Sequence, residues 1–158
     1  MNVSLHPVTK SNYKAVSDLD VAKEQQELVA CNMWSLVEAQ FNEGYYTRAI
    51  VRDDEIVVDD SVVGFFMWVQ ETTSKVSIWR FMVDEKYQKQ GIGRIALNLA
   101  LAEIKAMTGI NEIEICYNPV NPVAKDFYAS FGFVEVGMDD DDEDMLAVIR
   151  VDSAELSS

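Results

Sequence analysis

A chain of 158 residues suits one domain, expected to span residues 1–158, and is too short for two comfortable ones. Apolar residues at 49%, charged residues at 25%, and only 7 Gly and 3 Pro describe a globular core and argue against a disordered or collagen-like chain. The 13 Lys+Arg against 27 Asp+Glu leave a net charge of −14, which opposes general binding to nucleic acid or anionic membrane and favours cationic partners.

In chain order, Val3 to Val8 alternates and predicts a first strand ending near Pro7. Thr9 or Ser11 can cap a short helix through Leu19. A second helical region is expected from Lys23 to Asn42, with a break near Cys31 left open and Gly44 as its stop signal. Strands follow over Tyr46 to Arg52 and Val62 to Gln70, separated by the turn-like Asp53-Asp54; Glu55 to Asp60 reads as a short strand or a hairpin insertion. Lys75 to Val83 is a further strand, with Val76, Ile78, Arg80 and Met82 on one face and Ser77, Trp79, Phe81 and Val83 on the other. Ile92 to Met107 predicts a helix, Ala-, Leu- and Ile-rich, with Gly109 as its exit. Glu112 to Tyr117 alternates, placing Ile113, Ile115 and Tyr117 on one face. Asn118 or Asn121 precedes a helix to about Phe131, and Gly132 ends it. Val134 to Val136 and Met145 to Val151 close the chain as strands.

The order β-α-α-β-β-β-α-β-α-β-β predicts an α/β fold: a central mixed sheet with flanking helices, containing one parallel crossover between residues 75 and 117. It differs from an all-parallel Rossmann sheet. The first residues lack a basic segment followed by an apolar one, so no secretory leader is expected. The longest apolar stretch, Val62 to Val69, is far below a membrane span. Cys31 and Cys116 form no redox or metal motif, and His6 is the single histidine, so neither a metal nor a disulfide is expected. Both cysteines read as buried small hydrophobes in a reducing cytoplasm.

The segment with chemical content runs from Phe81 to Arg94: a strand ends, a polar turn follows, Gly91 and Gly93 appear, and a helix begins. Glycine lets backbone approach a ligand closely. The first-turn N–H groups of a helix lack intrahelical acceptors and can donate to an anion that the helix dipole also favours. Lys86, Lys89 and Arg94 add local positive charge in a strongly acidic chain. Together these features point to a bound phosphate. The spacing is neither a P-loop nor a Rossmann Gly-x-Gly-x-x-Gly, and two glycines alone would equally describe a helix start packed against a sheet.

Gln88-x-x-Gly91-x-Gly93 resembles the Gln/Arg-x-x-Gly-x-Gly/Ala signature of the GNAT N-acetyltransferase superfamily. Asn121-Pro122-Val123-Ala124-Lys125-Asp126-Phe127-Tyr128 through Gly132-Phe133 is similar to its Asn-x-x-Ala-x-x-x-Tyr-x-x-x-Gly-Phe pattern. The element order agrees over essentially the whole chain. Gln25 to Ala39 and Ile78 to Gln88 look most like bacterial diamine, or spermine/spermidine, N-acetyltransferases. The longer Asp53 to Ser61 region departs from that subgroup and leaves the acceptor-side rim open.

The resemblance implies acetyl-CoA as co-substrate, without a metal. It implies that Phe81, Met82 and Val83 pair with the pantetheine arm as an added strand. An N–H near Val83 would then polarise the thioester carbonyl. Gln88, Lys89, Gln90, Gly91, Ile92, Gly93 and Arg94 would hold the pyrophosphate, Asn121 would contact pantetheine, and Lys125 would meet a CoA phosphate or remain a solvated lysine. Tyr128 would protonate the departing thiolate as general acid, its ordinary pKa of about 10 suiting a donor that stays protonated.

The acceptor would be a small cationic amine such as a polyamine, which must lose a proton before attack, since alkylammonium groups also titrate near about 10. Glu27 and Glu38 are the expected polyamine contacts, and Trp34, Tyr45 and Trp79 are candidate stacking or cation–π faces that equally suit a core. Glu43 and Asp84 are further carboxylates among which the base is not singled out. Asp139 to Asp144 either steers a polycation or is a solvated loop. Family habit is compatible with a homodimer, on which periodicity is silent. Two other readings stay open: an acetyltransferase for another amine (an aminoglycoside, an amino acid or a protein N-terminus), and a non-catalytic acyl-CoA or polyamine sensor.

Overall fold

A computed structural model describes residues 2–19, 32–53 and 62–151. Its strands are β1 (Asn2–Pro7), β2 (Tyr45–Asp53), β3 (Val62–Gln70), β4 (Lys75–Val83), β5 (Glu112–Tyr117), β6 (Val134–Met138) and β7 (Met145–Arg150). Its helices are α1 (Tyr13–Ser17), α2 (Asn32–Gln40), α3 (Ile92–Lys105) and α4 (Pro122–Ala129), with a short 3₁₀ turn at Glu85–Tyr87. Among the described residues the strands form one sheet in the order β1-β2-β3-β4-β5-β7-β6. β4 and β5 run parallel, while β1–β2, β5–β7 and β6–β7 are antiparallel. This is the mixed α/β architecture with flanking helices that the element order predicted.

The chain divides into two compact units: Met1–Trp68 with Arg80–Glu103, and Val69–Trp79 with Ile104–Ser158. In the first, β3 is buried without interruption from Val63 to Trp68. Its apolar run buries both strand faces, and each large side chain so covered contributes about 1.5–3 kcal/mol. Phe66 stacks on Phe81 of β4 with ring centroids 4.2 Å apart and planes 6° from parallel. Gly64 is required by proximity: a Cβ there would come within 2.5 Å of the Met82 carbonyl oxygen and 2.7 Å of Ile50 Cδ1. Helix α3 buries Ile92, Ala96, Leu97, Ala100 and Leu101, a stripe at helical spacing. Buried Asn32 is satisfied because its Nδ2 donates to the Val16 carbonyl at 2.9 Å, tying α2 to α1.

In the second unit, β5 follows the expected alternation, with Ile113, Ile115 and Tyr117 buried. Lys75 on β4 is held by Glu114 at 3.1 Å and Glu71 at 3.4 Å. Helix α4 starts where Asn121 Oδ1 accepts the Ala124 N–H at 3.2 Å, with Pro122 behind it. Asn121 rather than Asn118 is therefore the cap. Asn118 caps locally instead, accepting the Val120 N–H at 3.0 Å. Gly137 follows a register shift between β6 and β7, which ends their regular alternation.

Three sequence expectations need correction. Helix α1 ends at Ser17 rather than Leu19, and its cap position is Asn12, not Thr9 or Ser11. The Asn12 side chain accepts the Thr9 N–H at 2.7 Å and donates to the Pro7 carbonyl at 3.0 Å, organising the turn before the helix. Helix α3 stops at Lys105 rather than Met107, because the chain closes there through Met107 N–H to the Ile104 carbonyl before Gly109 turns left-handed. Cys116, in no disulfide, is of intermediate exposure rather than buried. Cys31, the start of the second helical region and the Glu55 to Asp60 segment lie outside the described residues.

Candidate active site

The turn between β4 and α3 is built by its own side chains. Asp84 is 4% exposed, and a buried carboxylate costs free energy unless it accepts hydrogen bonds. Its Oδ1 accepts the Lys86 N–H at 3.0 Å, and its N–H donates to the Val63 carbonyl at 2.7 Å. Gln88 folds back so that Nε2 donates to the Val83 carbonyl at 2.8 Å. Gln90 Nε2 reaches the Lys86 carbonyl at 3.5 Å, while its Oε1 accepts from Arg52 Nη1 at 3.1 Å. The Gln88 and Gln90 side chains thus shape the turn itself.

Backbone conformation explains the glycine at 91. Gly91 has φ +82°, and a Cβ built there meets nothing within 4 Å. The handedness of the backbone, rather than crowding inside the protein, selects glycine, and the space above it stays open. Its carbonyl accepts the Ile95 N–H at 3.3 Å, so the chain enters α3 with the N–H groups of Ile92, Gly93 and Arg94 in its first turn. Lys86, Lys89 and Arg94 are all exposed around this start. The arrangement can receive an anion: oriented donors, the positive end of a helix of 14 residues, and three cations.

β4 also carries unextended pairing. Its ladder with β5 runs from Lys75 opposite Glu112 to Ile78 opposite Ile115, yet β4 continues to Val83. Trp79 to Val83 therefore lie past the last β5 register pair. Within this stretch Phe81 is anchored by Phe66, and Met82 is 7% exposed.

Tyr128 lies in an aromatic cluster. Its ring centroid is 5.5 Å from Tyr117, 5.3 Å from Phe127 and 6.0 Å from Phe133. Burial holds its phenol well above the usual tyrosine range, with Cys116 and Tyr117 adding to the effect. The hydroxyl is fully protonated at neutral pH. Tyr117 donates to Glu135 Oε1 at 2.8 Å; burial first, and Glu135 second, push its pKa up to about 12. Lys125 Nζ stands 3.8 Å from the same carboxylate oxygen with its side chain 61% exposed. Neither Tyr117 nor Glu135 was singled out in the sequence. A tyrosine on the buried face of an alternating strand needs a polar partner, and that was the available signal.

The expected acceptor residues are spread more widely. Glu38 on α2 has Oε1 3.9 Å from Arg80 Nη2. Trp34 is 65% exposed, whereas Tyr45 and Trp79 are half-buried. Glu27 lies outside the described residues. Asp139 organises the acidic run by accepting the N–H groups of Glu143 at 2.9 Å and Asp144 at 3.3 Å. Among the described residues no group of three or more His, Cys, Asp or Glu side chains is disposed to hold a metal, and no helix is long and apolar enough to cross a membrane.

Known proteins share this fold. The spermine/spermidine N(1)-acetyltransferase of Bacillus subtilis (strain 168) is 24% identical over 135 residues, covering 84% of this chain and 88% of the relative. The spermidine N-acetyltransferase of Vibrio cholerae, solved with CoA and spermine, superposes with a TM-score of 0.75 at 13% identity, over 94% of this chain and 95% of that one. The ribosomal-protein-S18-alanine N-acetyltransferase of Escherichia coli gives a TM-score of 0.69 at 15% identity, over 95% and 94%. The model of the acetyltransferase (GNAT) family matches residues 13–133. A match over well more than half of the sequence, embracing both the glycine turn and Tyr128, makes this chain a member of the GNAT acetyltransferase family.

Proposed function

We propose that this protein transfers the acetyl group of acetyl-CoA to a primary amine of a polyamine, by direct attack of the amine on the thioester. The observation that carries the reading is the α3 start: oriented N–H groups and three exposed lysine or arginine side chains in a chain of net charge −14. That start suits the CoA diphosphate, and the acidic remainder suits a cationic acceptor. The likeness to the Bacillus spermine/spermidine enzyme supports the choice of amine.

In this reading the N–H groups from Gly91 to Arg94 bind the diphosphate, and backbone of Phe81 to Val83 pairs with the pantetheine arm. An N–H near Val83 stabilises charge on the carbonyl oxygen as the amine nitrogen adds to carbon. The C–S bond then breaks, the electron pair stays on sulfur, and Tyr128 delivers its proton there. Tyr128 is protonated at neutral pH, and because burial raises its pKa and makes it a weaker acid, the role rests on its place in the motif and not on the shift. The proton lost from the amine passes to a carboxylate or to water. Asn121 spends its Oδ1 on capping α4, which leaves its Nδ2 as the donor for pantetheine. Lys125 remains a phosphate contact only if it leaves Glu135. The reading includes a single domain in a reducing cytoplasm, and a homodimer as its assembly.

One observation favours a second reading, an acetyltransferase for a different amine such as a protein N-terminus: Glu38, an expected polyamine contact, already faces Arg80. Release of free CoA from acetyl-CoA, measured with spermidine, spermine, shorter diamines and an alanine-initiated peptide, separates the two. Spermidine or spermine should outpace the peptide by more than about tenfold in kcat/KM, a modest discrimination for charged-group recognition. A peptide that outpaces them supports the second reading, and no thiol release with any amine removes both.

A further inference from the structure

Arg52, near the end of β2, has no part in the reading above, yet it grips the turn that leads to Gly91. Its Nη1 donates to Gln90 Oε1 at 3.1 Å. Its guanidinium carbon stands 4.9 Å from the centroid of the Tyr87 ring, a cation–π distance. Gln90 directly follows Lys89, which has φ +65°, and Tyr87 stands two residues before it. A lysine in the left-handed region is disfavoured by its Cβ, and such a residue persists only where its surroundings over-determine it. Arg52 thus holds the turn on both sides of Lys89: at Gln90, its next residue, and at Tyr87, two residues before it. Gln90 passes the constraint on, since its Nε2 reaches back to the Lys86 carbonyl at 3.5 Å.

We propose that Arg52 is a positioning residue for acetyl-CoA: by clamping Tyr87 and Gln90 it keeps the 87–91 turn in the form that presents the α3 amides to the diphosphate. The proposal rests on the acetyl-CoA reading given above. Without the clamp the turn samples other conformations, and apparent affinity falls by the fraction of time the competent form is lost. Arginine suits the task better than lysine, because one planar group can stack on a ring and donate from its edge at once.

Calorimetric titration of acetyl-CoA into the full chain tests it with wild type, Arg52→Ala, Gln90→Ala, the double variant and Arg52→Lys. If the competent turn drops to about a fifth of the population, Arg52→Ala weakens Kd and raises KM for acetyl-CoA about fivefold, with kcat at saturation changed by less than about twofold. Gln90→Ala weakens binding less, the double variant is no worse than Arg52→Ala, and Arg52→Lys recovers part of the loss. This non-additivity marks a shared route. Binding by Arg52→Ala as tight as wild type overturns the proposal. So do additive losses, which would mean that Arg52 touches the cofactor directly, and so does a fall in kcat that tracks a fall in Tm. Should Arg52→Ala fail to fold, Gln90→Ala, a change at an exposed side chain, still reads the clamp: an unchanged Kd there overturns it. Absence of acetyl-CoA binding by wild type is a different result, and removes the functional reading itself.

Discussion

Around the start of α3, charged side chains stay at the surface while the backbone is fixed by short-range bonds: Asp84 to Lys86, Gln88 to Val83, Gln90 to Lys86. Around Tyr128 the pattern reverses. Three aromatic rings, Tyr117, Phe127 and Phe133, pack around Tyr128 with centroids 5.3 to 6.0 Å away. The first region presents donors to an anion and leaves space over Gly91. The second sets a hydroxyl among rings, which raises its pKa further above neutrality. In the proposed reading one region serves charge recognition and the other proton donation, and each uses the environment that would spoil the other.

The sharpest way to break the contrast is Tyr128→Phe. It should leave acetyl-CoA affinity nearly unchanged and lower kcat by more than about tenfold, as loss of a general acid does; near wild-type turnover removes Tyr128 from the chemistry. Gly91→Ala should do the opposite. With φ at +82° an alanine costs about 1–2 kcal/mol, which corresponds to roughly tenfold weaker acetyl-CoA binding. A turnover defect at saturating cofactor would show that the turn does more than bind.

The next prediction sharpens the account of the aromatic region. The folded Tyr117 titrates at about 12 against about 10 in the unfolded chain. The folded state thus holds its proton where the unfolded state loses it, so this contribution to stability is complete below about pH 10 and is lost as pH rises through about 12. Half-buried Tyr128, its pKa also raised, acts in the same direction. Glu135→Gln should lower the pH at which Tyr117 ionises, read by tyrosinate absorbance; an unmoved titration would leave burial as its sole cause. The smallest effect belongs to the acidic run. Neutralising exposed Asp140, Asp141 and Asp142 should change kcat/KM for spermidine by less than about twofold at physiological salt, where long-range steering is screened. A larger fall at low salt would restore the steering idea.

The strand positions were legible because β3, β4 and β5 carry their patterns locally: continuous apolar residues in β3, and strict alternation in β5. The glycine turn was legible too, since spacing and left-handed backbone are local properties. Helix boundaries were harder, as Thr9, Ser11 and Asn12 are all capping types and the pairing back to Pro7 selects among them. Gln88 and Gln90 sit in a motif that suggests ligand contact, yet their side chains bond the protein's own backbone. Arg52 and Glu135 stayed hidden for a different reason. Each meets its partner from another strand, 38 residues from Gln90 in one case and 18 from Tyr117 in the other, and periodicity carries no record of such meetings.

The central claim is that the α3 start receives the diphosphate of acetyl-CoA. Backbone-amide NMR during titration of acetyl-CoA into the full chain tests it most directly. The account predicts saturable shifts at the Gly91, Ile92 and Gly93 amides, reproduced by CoA without its acetyl group. Saturable binding that leaves those amides unmoved would contradict it.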